Sequence, residues 1–86
     1  MKYRSRTEIV STILEVANGG ATKTKIMYGA FLSYAQLKEY IEVLIRNDLL
    51  EYDEKTSKWK TTEKGLKFLR ISGQLELLSP SAASPR

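Results

Sequence analysis

The chain has 86 residues, 42% of them hydrophobic, and it contains no cysteine and no histidine. That length suits one domain, and the two missing residue types exclude disulfides, Cys/His zinc sites, thiol nucleophiles and histidine-based triads. Fourteen Lys and Arg against ten Asp and Glu leave a net charge of +4 and a pI near 9.4, which in a small domain with clustered cations is the electrostatic footprint of a nucleic-acid binder.

The first residues are basic and then apolar, in the manner of a signal peptide. Ser11, Thr12 and Glu15 interrupt the apolar positions, so the segment reads as a helix instead. Ser5 and Glu8 stand at capping-box spacing. Behind them Ile9, Val10, Ile13, Leu14, Val16 and Ala17 recur at helical spacing, and Asn18-Gly19-Gly20 supplies a C-cap. A first helix is predicted over about residues 5–18.

A second, short helix is predicted over about residues 22–30, started by Thr22 or Lys23, with Ile26, Met27 and Ala30 inward. Gly29 weakens its end, and Phe31-Leu32 forms a tight apolar turn. Ser33 and Gln36 make a second capping box that opens a third helix over about residues 33–48. Its apolar face is Leu37, Tyr40, Ile41, Leu44 and Ile45. From Leu49 the period changes to two. Leu50 and Tyr52 alternate with Glu51 and Asp53, a polar turn follows at residues 54–57, and Lys58-Trp59-Lys60-Thr61 alternates again. The segment 49–61 therefore predicts a hairpin with Leu50, Tyr52 and Trp59 on its buried face. Thr61 or Thr62 caps a fourth helix over residues 62–78, and 79–86 reads as a disordered Ser/Pro tail.

Helix, short helix, tight turn, longer helix, hairpin, helix is the order of a winged helix-turn-helix. The fold class is mostly α with a small β-hairpin, with residues 1–61 as the core and 62–78 as a C-terminal helix. Such a fold presents the start of the third helix to the major groove and the hairpin wing to the backbone. Tyr34, Gln36 and Lys38 stand at that helix start. Gln can pair bidentately with adenine, and Lys can donate to guanine or phosphate. Gln36 is equally the capping partner of Ser33. Lys2, Arg4 and Arg6 add +3 to the N-terminal arm, Lys23 and Lys25 open the second helix, and Lys55, Lys58 and Lys60 add +3 to the wing. Acids at Glu42, Asp48, Glu51, Asp53 and Glu54 are expected on another surface. The expected DNA-binding set is therefore Arg4, Arg6, Lys23, Lys25, Tyr34, Gln36, Lys38, Lys55, Lys58 and Lys60.

In the last helix Leu66 and Leu69 are expected to return to the core. Phe68, Ile71, Leu75 and Leu78 are spaced three, four and three, the seam of a coiled coil. A homodimer through that seam is expected. Asp53-Glu54 lies in a turn without other metal ligands, Ser33 and the threonines have no base at motif spacing, and Gly19-Gly20 is no phosphate loop. No catalytic residue, metal or cofactor is expected, and no run approaches the ~18 apolar residues that span a bilayer.

Lys23-Thr24-Lys25-Ile26-Met27-Tyr28-Gly29-Ala30, Leu32-Ser33-Tyr34 and Tyr40-Ile41, with Ile9, Ile13, Leu14, Glu15 and Thr62-Glu63-Lys64-Gly65, carry a resemblance. Over about residues 5–70 the chain resembles the small basic winged-helix DNA-binding proteins of archaea, of the chromatin-associated ten-kilodalton type. The resemblance implies a winged helix, sequence-tolerant binding of double-stranded DNA, and a dimer held by an antiparallel coiled coil of the last helices. The expectation is a cytoplasmic, nucleoid-associated transcription regulator or chromatin component. The alternative is a winged helix used as a protein-interaction module.

Overall fold

The computed structural model describes residues 4–78, with side-chain surroundings through residue 73. Lys2, the 79–86 tail, and the side chains of Leu75 and Leu78 lie outside the described residues. The elements run α1 (Arg6–Val16), α2 (Lys23–Gly29), α3 (Tyr34–Arg46), β1 (Leu50–Asp53), β2 (Lys58–Thr61) and α4 (Glu63–Leu78).

Each of the first three helices starts at a hydroxyl cap. Glu8 N–H donates to Ser5 Oγ at 3.1 Å, and Ser5 N–H donates to Glu8 Oε1 at 2.9 Å. Lys25 N–H donates to Thr22 Oγ1 at 3.1 Å. Ser33 and Gln36 exchange the same reciprocal pair, at 3.0 and 3.2 Å. These bonds satisfy backbone donors that helix geometry leaves free.

Two helices end alike. After α2, Leu32 N–H returns to Met27 O at 3.0 Å and Phe31 N–H to Tyr28 O at 3.2 Å. After α3, Leu49 N–H returns to Leu44 O at 2.8 Å and Asp48 N–H to Ile45 O at 2.9 Å. Both are Schellman motifs, which need one left-handed residue, usually glycine. Here Phe31 (φ 56°) and Asp48 (φ 61°) take that place.

Ile13, Leu14, Ile26, Leu37, Ile41, Leu44 and Leu50 form the core with Ala17, Ala21, Ala30 and Leu32. Each fully buried Leu or Ile contributes roughly 1.5–3 kcal/mol. No aromatic ring belongs to this set. Tyr40, Trp59 and Phe68 pack on its edge, partly buried. Ile45, expected on the apolar face of α3, is left exposed.

The hairpin is antiparallel, pairing Leu50 with Thr61, Glu51 with Lys60, Tyr52 with Trp59 and Asp53 with Lys58. A feature absent from the sequence reading joins it to the helices. Ala21 bridges Trp59 through N–H···O bonds of 2.9 and 2.8 Å, so the α1–α2 loop lies along β2. Thr61 Oγ1 donates to Leu14 O at 2.6 Å, satisfying a carbonyl at the end of α1. Thr62 Oγ1 donates to Asp48 O at 2.7 Å and accepts from Gly65 N–H at 3.0 Å, so Thr62 caps α4.

Two further side chains differ from expectation. Tyr52 shares the inner face of the hairpin with Leu50 and Trp59, but it sits at the outer end and is 46% exposed, its ring 4.7 Å from that of Trp59. Phe68 was expected on the seam of α4. It packs partly buried against the edge of its own core beside Leu69, where α4 lies against α1.

Candidate nucleic-acid interface

The start of α2, the start of α3 and the wing converge on one side chain. Lys23 is the first residue of α2, and its Nζ stands 5.8 Å from the Tyr34 ring centroid and 5.8 Å from that of Trp59. Both distances fall within cation–π range. Trp59 is fixed from its backbone by the Ala21 bridge, and Tyr34 by the Ser33 cap immediately before it. One ammonium therefore lies between the first turn of α3 and the inner face of the wing. Lys25 and Lys38 are exposed on the same two helix starts.

The N-terminal arm lies along the α2–α3 turn. Arg4 Nη2 donates to Phe31 O at 3.2 Å, and its guanidinium carbon stands 6.0 Å from the Phe31 ring centroid. Arg6 goes elsewhere: it lines a groove between α1 and α3 with Val10, Gln36, Glu39 and Tyr40. Helical spacing puts Gln36 and Tyr40 on one flank of α3, and Tyr34 and Lys38 on the other. Arg6 and Gln36 thus sit on the flank away from Lys23. Gln36 Oε1 is already taken by the Ser33 N–H at 3.0 Å. The capping half of its expected role is therefore present, and a bidentate pair with adenine would share that oxygen or release it from the cap.

The wing corrects a second expectation. Its three lysines were to form a cationic surface apart from the acids. The register instead sets Lys58 opposite Asp53 and Lys60 opposite Glu51 on the outer face, where cross-strand opposite charges sit within interaction reach. Glu54 precedes Lys55 in the turn, and Lys55 N–H donates to Asp53 Oδ1 at 3.0 Å. The wing is therefore electrically balanced, and its inner face presents aromatic rings. Of the ten expected residues, Lys23, Tyr34 and the exposed Lys25 and Lys38 share the two helix starts. Arg4 lies at the turn beside them. Lys55 is exposed in the hairpin turn, and Arg6, Gln36, Lys58 and Lys60 lie on other faces.

The sequence reading missed Trp59 as a partner of Lys23 and the exposure of Tyr28 and Phe31. Phe31 takes the left-handed position that ends α2, with φ 56°. Among the described residues, no group of His, Cys, Asp and Glu is placed to hold a metal ion, and no helix is long and apolar enough to cross a membrane.

Three helices followed by a two-stranded antiparallel hairpin, with the start of α3 beside that hairpin, make a winged helix-turn-helix. Residues 3–79 match the winged helix-turn-helix family, and the chain belongs to it. Among solved structures it is similar to Sso10a-2, a DNA-binding protein from Sulfolobus solfataricus. The TM-score is 0.75 at 23% identity, over 84% of this chain and 78% of that one. The fold implied by the resemblance to small archaeal winged-helix proteins is the fold observed. No curated protein sequence matches the chain.

Proposed function

We propose that this chain binds duplex DNA as a chromatin component or transcription regulator, with the starts of α2 and α3 against the duplex. The observation that carries the reading is Lys23, held between the Tyr34 and Trp59 rings where helix start and wing meet. Arg4, Lys25, Lys38 and Lys55 add exposed cations. The similar Sso10a-2 structure is that of a DNA-binding protein, which supports the same reading. Affinity is electrostatic and largely sequence-tolerant, because phosphate contacts position a protein without reading bases.

Each neutralised phosphate adds about −0.9 to the slope of log K against log salt, so about four contacts per domain give a slope near −4. The test is a titration of labelled duplex across a salt series. Lys23→Ala with Lys25→Ala should flatten the slope by about 2, whereas Lys58→Ala with Lys60→Ala, on the charge-balanced face, should leave it unchanged. No duplex binding at low salt sinks the reading and leaves a protein-interaction module in its place.

A homodimer through α4 completes this reading. Ile71 is 56% exposed, and Leu75 and Leu78 follow it at heptad spacing. Phe68, partly buried on the edge of its own core, begins the same spacing. An antiparallel pair of α4 helices would bury Ile71 and set two basic surfaces along one duplex, raising avidity without a new type of contact.

A further inference from the structure

The most exposed large apolar side chains of the described residues gather where α2 turns into α3. Phe31 is 82% exposed and Tyr28 is 70% exposed. They are joined across the turn by the Phe31 N–H to Tyr28 O bond at 3.2 Å. Ordinary packing does not account for this. Aromatic rings usually dominate a core, yet here the core is wholly aliphatic.

Phe31 is the sharper case. It occupies the left-handed position of a Schellman motif with φ 56°, where glycine costs least and a bulky side chain is an outlier. Such outliers collect at functional sites. The ring is held in water by a backbone that would be easier to make without it. Arg4 is anchored beside it through one guanidinium nitrogen, which leaves further donors of its fork unspent. Lys25 precedes Tyr28 by three residues, on the same side of α2.

Stacked bases in a duplex cover one another's faces, so a ring in water finds no partner there beyond phosphate and groove edges. Unpaired bases expose both faces. Exposed rings flanked by cations are what single-strand binders use, the rings stacking on bases and the cations following the backbone. We infer that the α2–α3 turn is a stacking site for the unpaired bases of single-stranded DNA, carried by Tyr28 and Phe31 with Arg4 and Lys25 toward the phosphates. This goes beyond duplex binding: it shares the cations Arg4 and Lys25 with that reading, but Tyr28 and Phe31 have no part in it.

The test uses the full chain, a labelled oligothymidylate that cannot self-pair, and a labelled duplex as second probe, both followed by fluorescence anisotropy. The Tyr28→Gln/Phe31→Asn variant removes both rings, and Asn tolerates the left-handed turn. It should bind the single strand at least about fivefold more weakly, from the stacking of one base or more, with duplex affinity unchanged. Phe31→Tyr, which keeps a ring, should bind the single strand as the unaltered chain does. The inference is overturned if the unaltered chain does not bind oligothymidylate at low salt, or if the double variant binds it equally well. Equal loss on both probes overturns it too, since no separate stacking site then exists.

Discussion

Helix α4 contains two glycines in opposite circumstances, and the same substitution at each should move stability in opposite directions. An ideal Cβ on Gly65 would lie 2.5 Å from the Leu49 carbonyl oxygen and 2.6 Å from Thr61 Cγ2. The oxygen is backbone and already accepts Thr62 N–H at 3.1 Å, so it yields only by spoiling that bond. Over-packing of this kind costs about 1–3 kcal/mol, and the strained hydrogen bond adds about 1 kcal/mol. Alanine returns about 1 kcal/mol over glycine inside a helix. Gly65→Ala should therefore destabilise by about 2 kcal/mol, and with ~4–8 °C per kcal/mol for a domain of this size the melting temperature falls by about 8–16 °C. At Gly73 nothing lies within 4 Å of the same atom. Only the helix preference remains, so Gly73→Ala should raise the melting temperature by about 4–8 °C. Both are read by circular dichroism melting at matched protein concentration, because dimerisation would make the midpoint concentration-dependent. A Gly65→Ala variant that melts at or above the parent, or a Gly73→Ala variant that melts below it, refutes the packing argument.

Thr61→Val keeps the side-chain shape and removes the hydroxyl that donates to Leu14 O at 2.6 Å. A part-buried carbonyl loses its partner, and chemical denaturation should show a loss of about 1–2 kcal/mol. Gln36→Ala breaks the return half of the second capping box. Stability should drop by about 0.5–1.5 kcal/mol while preference among duplex sequences, measured by competition binding, stays as it was; a changed preference would give Gln36 a base contact after all. Ile71→Asp with Leu75→Asp should convert a dimer to a monomer in sedimentation equilibrium. A monomeric parent at micromolar concentration, or a variant still dimeric, removes α4 as the interface.

The sequence alone determined what depends on neighbours three or four residues away. Ser5–Glu8 and Ser33–Gln36 close as capping boxes because both partners lie within one turn. The core faces of α1 and α3 follow from helical periodicity, and the change of period at Leu49 marks the hairpin. The order of these elements was enough to give the winged helix. What the tertiary structure decided depends on residues far apart in the chain. Hairpin register set Lys58 and Lys60 against Asp53 and Glu51, although the same charges look segregated along the sequence. The Ala21–Trp59 bridge and the Thr61–Leu14 bond join segments 38 and 47 residues apart, with no local pattern to announce them. Gly29 read as a weak helix end, but a Cβ there would meet Val16 at 2.8 Å, so it marks where α2 crosses α1 closely. Phe68 read as part of a seam, and the packing of α4 on α1 also sets it partly buried against its own core. Periodicity says which side of a helix is apolar, but only the packing of the other elements says what that side will meet.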